Sequence, residues 1–177
     1  MTVPGTFDTS ARELIHAGLQ NLDEARSLFR QLSASGFDAA RCGLLLDALQ
    51  HVCDPDVALR NLVDIVNAQV SQGRALDDIM PDDTAFRQLV AVLGVSDAMG
   101  KLMRFRPDLV QAAATDHCNS HLYNHDQRRA HVLESVGADP NDRMSPTATM
   151  DLADAATALR RTYRNQLAAI IAQDTMS

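Results

Sequence analysis

The side chains best suited to binding a metal cluster between residues 117 and 131: His117, Cys118, His121, His125 and His131. Imidazole nitrogen and thiolate sulfur are the ligands zinc prefers, held about 2 Å from the ion in a tetrahedron. On a helix, His117, His121 and His125 would share one face. The outer two would stand about 12 Å apart at Cα, so at most one i, i+4 pair could serve a single ion. Asn119, Ser120 and Asn124 disfavour a regular helix here, and the tract reads first as a polar surface loop with these five side chains as its candidate ligands.

A second candidate is Asp54-Pro55-Asp56, an Asp-x-Asp pair. On a strand, two carboxylates at this spacing could hold Mg²⁺ for phosphoryl or nucleotidyl transfer. The proline and the following VALRNL instead place the pair at a helix start, where both carboxylates meet the positive end of the helix. Lys101, Arg104 and Arg106 form a third set, a small basic patch able to meet phosphate, or to complement the negative pole at a helix end. No Gly-x-Ser-x-Gly, P-loop or dinucleotide-binding fingerprint is present, so these residues alone define no active site, catalytic or cofactor-binding.

The elements that must carry these side chains read as a succession of capped helices. The spacing predicts helices over about 10–19 and 21–32, followed by a break at Gly36. Asp38 caps a third helix running through Cys53, and Asp54 opens a fourth bearing Leu59, Leu62, Val63, Val66 and Val70, which Gly73 closes. A short piece around 76–80 leads to a helix from Pro81 that Gly94 ends. Ser96 caps another through Phe105, and Pro107 opens a short one ending near Ala114. Residues 115–125 are polar and irregular, a helix covers about 126–136, and 137–148 is a connector rich in Gly, Pro, Asn and Asp. The last element, 149–174, is a long amphipathic helix with Thr149 as N-cap. Leu152, Ala156, Leu159, Tyr163, Leu167 and Ile170 line one face at the helical period, flanked by Arg160, Arg161 and Arg164. A helix of this length needs a partner for that apolar face, so the stripe is expected to pack partly against a further domain and to favour self-association when bare.

Composition sets the class. The 177-residue chain has 4% aromatic residues and no Trp, so Leu and Ala must fill the interior through close helix packing. The expected fold is all-α, about seven to nine helices with little or no β. It forms one helical region over 1–177, with an array at 1–114, a connector with one helix at 115–148 and the long helix at 149–174. Net charge is −7, and all of the acidic excess lies before residue 101, which argues against binding nucleic acid. No run of about 18 apolar residues is present to span a membrane, the first residues show no secretory signal, and three cysteines without framework spacing suit a reducing cytoplasm.

Four segments carry a resemblance: DPDVALRNLVDIV, FRQLVAVLGVSDAMGKLMRFRPDLV, RRAHVLESVGADP and ALRRTYRNQLAAIIAQD, in that order. Over roughly 37–174 they resemble the N-terminal helical region of actinobacterial-type glutamine synthetase adenylyltransferase. The resemblance implies a large cytoplasmic enzyme with two nucleotidyltransferase-fold domains. One adds AMP from ATP to glutamine synthetase and the other removes it by phosphorolysis, both with Mg²⁺ and under control of glutamine and the signalling protein PII. The family's catalytic motif, a glycine pair followed by Asp-x-Asp on a strand, matches no position here and is expected in a domain downstream of the long helix. The family usually has His-Pro where this chain has Arg106-Pro107. The chain is therefore expected to be a scaffold, docking or regulatory segment, catalytically inert by itself and holding no cofactor. The alternative is a stand-alone cytoplasmic helical adaptor, binding a metal through the 117–131 tract. Reading frame beyond Ser177 separates the two.

Overall fold

Side-chain caps specify where most helices begin. The computed structural model describes residues 9–78, 82–114 and 125–176. Among these, Ser10 and Glu13 form a reciprocal capping box at α1 (Ala11–His16), and Asn21 caps α2 (Leu22–Ala34). Carboxylates of Asp38, Asp54 and Asp82 accept backbone N–H groups at the starts of α3 (Ala39–Leu49), α4 (Pro55–Ser71) and α5 (Asp83–Val95), and the Ser96 hydroxyl does so for α6 (Asp97–Met103). A 3₁₀ turn, Leu76–Asp78, lies between α4 and α5; α7 (Pro107–Ala114), α8 (His125–Ser135) and α9 (Leu152–Met176) complete the order. The fold is all-α, with no strand among the described residues.

The core is organised around α5. In this helix Ala85, Phe86, Leu89, Val90, Ala91, Val92 and Leu93 are all buried, so it is apolar nearly all round, as a helix must be when neighbours surround it. It packs against α3, α4, α6, α7 and α9. Leu59, Leu62, Ile65 and Val66 of α4 and Leu109, Val110 and Ala113 of α7 belong to the same buried cluster. Near its C-terminus, where backbone carbonyls lack helical partners, the buried Asn61 amide donates to the Leu93 carbonyl at 3.1 Å. Gly100 admits this arrangement: a Cβ there would lie 2.3 Å from the Asn61 side chain.

Several boundaries differ from the sequence reading. The third helix stops at Leu49 and leaves Cys53 outside it, exposed, while Cys42 is buried. Gly94 does not end α5. It lies buried within the helix, where a Cβ would meet Val52 at 2.9 Å, so close approach of the loop after α3 explains the glycine. Pro81 falls outside the described residues; Asp82 is the N-cap. Asp151, not Thr149, caps α9, accepting from the N–H groups of Ala153 and Asp154 at 2.9 and 3.0 Å.

Thr149 has a different task. Its hydroxyl donates to the Gly137 carbonyl at 3.2 Å and its N–H to the Val136 carbonyl at 3.2 Å, tying the approach to α9 onto the end of α8. Gly137 sits at φ +71°, the left-handed conformation that closes a helix, and a Cβ there would meet the Thr149 hydroxyl at 2.2 Å.

The largest correction concerns which face of α9 is buried. Ala155, Thr162 and Ala168 are buried, with Ala158, Leu167 and Ile171 partly so, whereas Leu152, Leu159 and Tyr163 of the expected stripe are 88%, 41% and 64% exposed. Small side chains let α9 lie close on α5 and α7; of the expected stripe Leu167 packs against the core, while Leu152, Leu159 and Tyr163 are left outside that contact.

Candidate functional site

The sequence candidates do not converge. His117, Cys118 and His121 lie outside the described residues. His125 and His131 are exposed on α8, and six residues of helix turn them about 240° apart, so they face different directions. Among the described residues, no three His, Cys, Asp or Glu side chains are placed to share a metal ion. The carboxylates of Asp54 and Asp56 both serve the backbone: Asp54 accepts from Val57 N–H at 3.0 Å, and Asp56 from Gln20 and Asn21 N–H at 3.0 and 3.2 Å. Asp56 thereby fastens the start of α4 to the segment before α2. The basic patch also disperses. Lys101 pairs with Asp97 at 2.6 Å, Arg104 with Asp64 at 3.5 Å while stacking over Phe105, and Arg106 turns to Asp108.

Arg106 belongs instead to a grouping that tertiary packing creates. Where α9 crosses the start of α7, a cleft of about 440 Å³ is lined by Arg106, Pro107 and Asp108 from one side and by Thr157, Arg160, Arg161 and Arg164 from the other. The four residues of α9 fall at i, i+3, i+4 and i+7 and so share one face of that helix. Asp108 is the organising group. Its carboxylate accepts a two-pronged contact from Arg106, Nε at 2.9 Å and Nη2 at 2.8 Å, and a further bond from Arg161 Nε at 3.1 Å. The hydrogen bond from Arg106 is the chief reason its carboxyl group is held below the usual carboxylate range, and the same bond raises the Arg106 guanidinium.

Two of the arginines thus have a protein partner. Arg160 and Arg164 make no ion pair with the described residues. In the sequence, Arg160, Arg161 and Arg164 flank an apolar stripe and Arg106 belongs to another patch. The helical spacing of the three was visible, but their meeting with Arg106 depends on how α9 docks.

A second depression, about 500 Å³, lies between α8 and the connector, with charges of both signs. Its Arg129 is occupied structurally, donating to the Pro140 and Asp142 carbonyls at 3.0 and 2.8 Å.

Fold and cleft together define an all-α helical array carrying a basic surface cleft. Within that class, the chain is 61% identical over 171 residues, 97% of its length, to the bifunctional glutamine synthetase adenylyltransferase/adenylyl-removing enzyme of Bifidobacterium longum strains DJO10A and NCC 2705. It is 60% identical over the same length to that of Bifidobacterium longum subsp. infantis. The chain spans 16% of the length of these relatives. No protein-family model matches the chain, and no solved structure gives a significant match. No helix among the described residues is long and apolar enough to cross a membrane.

Proposed function

We propose that this chain serves as a helical scaffold and docking segment of a bifunctional glutamine synthetase adenylyltransferase/adenylyl-removing enzyme. The observation that carries the reading is the 61% identity to those relatives, sustained over 97% of the chain. In this reading the enzyme works in the cytoplasm on glutamine synthetase, under control of PII. ATP and Mg²⁺ act in nucleotidyltransferase domains outside this helical region. The uses found for the acidic side chains support the scaffold part. Asp38, Asp54, Asp82 and Asp151 are engaged at helix starts, and Asp56 joins two helices, leaving these carboxylates committed to architecture.

The test is an incubation of the purified chain with adenylylated glutamine synthetase, inorganic phosphate and Mg²⁺, and of unmodified glutamine synthetase with ATP and Mg²⁺. The expected outcome is no change in adenylylation in either direction. Turnover that persists through repeated purification would overturn the assignment of scaffold.

A further inference from the structure

We propose that the cleft between α7 and α9 is a binding site for a phosphate-bearing anion, taking either a free inorganic phosphate or diphosphate or the phosphate tail of a nucleotide. Four guanidinium groups, Arg106, Arg160, Arg161 and Arg164, line this cleft together with one carboxylate, Asp108. The local surplus is three positive charges in a chain whose net charge is −7. Such a surplus is self-repelling, since Arg160 and Arg164 are like charges one helical turn apart, and an anion from solution relieves it.

The geometry indicates what kind of anion. Each guanidinium presents five N–H donors. Asp108 takes Nε and Nη2 of Arg106 and only Nε of Arg161, so both retain donors, and Arg160 and Arg164 make no ion pair with the described residues. Planar forks arriving from two helices suit a group with several anionic oxygens pointing in different directions, as a phosphate has. The 440 Å³ of the cleft exceeds the needs of one phosphate and leaves room for a second. Asp108 acts here as a positioning residue, holding Arg106, just before α7, and Arg161 on α9 at a fixed separation before any ligand arrives. The start of α7, which opens at Pro107 beside the cleft, adds the positive end of a helix.

The inference rests on the cleft and not on the proposed role in adenylyl transfer, so its failure leaves that reading standing. The experiment is calorimetric titration of the full chain, in low-salt buffer, with inorganic phosphate, diphosphate, ADP and adenosine. Diphosphate is expected to bind more tightly than phosphate, and adenosine not to bind. ADP binding tighter than diphosphate assigns the site to a nucleotide tail, and equal or weaker ADP binding assigns it to the free anion. The paired substitution Arg160→Gln/Arg164→Gln, at side chains that make no ion pair with the described residues, is expected to weaken binding about tenfold or more while leaving the thermal unfolding midpoint unchanged. Arg160→Lys/Arg164→Lys is expected to recover part of that loss. Absence of binding by all phosphate species into the millimolar range overturns the proposal, as does binding that the glutamine pair leaves unaltered. A poly-aspartate peptide binding where diphosphate does not also overturns it, and points to an acidic protein partner instead.

Discussion

Helices α5 and α9 both carry apolar side chains and end up in opposite situations. Every residue of α5 from Ala85 to Gly94 except Arg87 is buried, and five neighbouring helices surround it. Helix α9, roughly 37 Å long for 25 residues, buries a strip led by alanines and leaves Leu152, Leu159 and Tyr163 outside. In α5 the bulk of the side chains fills space between helices, whereas in α9 the lack of bulk permits close approach. Size, as much as hydrophobicity, selects the face that docks.

The sharpest way to break this contrast is to truncate equivalent side chains in the two helices. Leu89→Ala in α5 is expected to cost about 3 kcal/mol or more in urea unfolding, from lost burial plus the cavity left behind. Leu159→Ala in α9 is expected to stay within about 0.5 kcal/mol of the parent chain. Comparable losses at the two sites would mean that α9 docks through its leucine face after all. The converse substitution probes the alanine strip. Ala168→Leu is expected to destabilise by about 1–3 kcal/mol through overpacking, although it raises helix hydrophobicity. Unchanged or increased stability would refute close packing there.

How much could be read from the chain follows the same division. Helices that begin with a local signal were legible: Asp38, Asp54 and Ser96 cap the elements their spacing predicted, and Pro55 sits at the first position of α4. Boundaries set by distant partners were not. Gly94 resembles a stop signal in one dimension and is a contact point with Val52 in three. Thr149 resembles a cap and is a tie to the end of α8, because the helix starts two residues later, where Asp151 takes the first free N–H groups. The docking face of α9 departs from the apolar stripe at Leu152, Leu159 and Tyr163 because periodicity marks where the large apolar residues lie and carries no information on how closely a neighbour can approach. The arginine cleft was invisible for a related reason: Arg106 and Arg161 are far apart in sequence and are joined by one carboxylate, Asp108.

Smaller effects follow from individual groups. Because the Arg106 bond lowers the Asp108 carboxyl pKa in the folded chain, its stabilisation is present above the unfolded value of about 4 and is lost as pH falls through the lower folded value. Asp108→Asn should therefore remove a part of the acid-side decline in stability, by less than about 1 kcal/mol, given how accessible its partners are. An acid limb identical in parent and variant would show that the pair contributes nothing. The cysteines offer the mildest contrast. Burial pushes the Cys42 thiol up to about 11, so at mildly alkaline pH iodoacetamide should alkylate exposed Cys53 and spare Cys42 until the chain unfolds, as peptide mapping would show. Equal labelling of both in the folded chain would contradict the burial of α3.

The proposed role of this chain is that of a helical segment serving an adenylyltransferase. It is tested most directly by grafting the chain in place of the matching segment of the Bifidobacterium longum enzyme and assaying both addition and removal of AMP on glutamine synthetase. Retention of both activities within about tenfold of the parent enzyme, as expected for a segment 61% identical to the one it replaces, is the predicted result. A chimera that folds as well as the parent and performs neither reaction would contradict it.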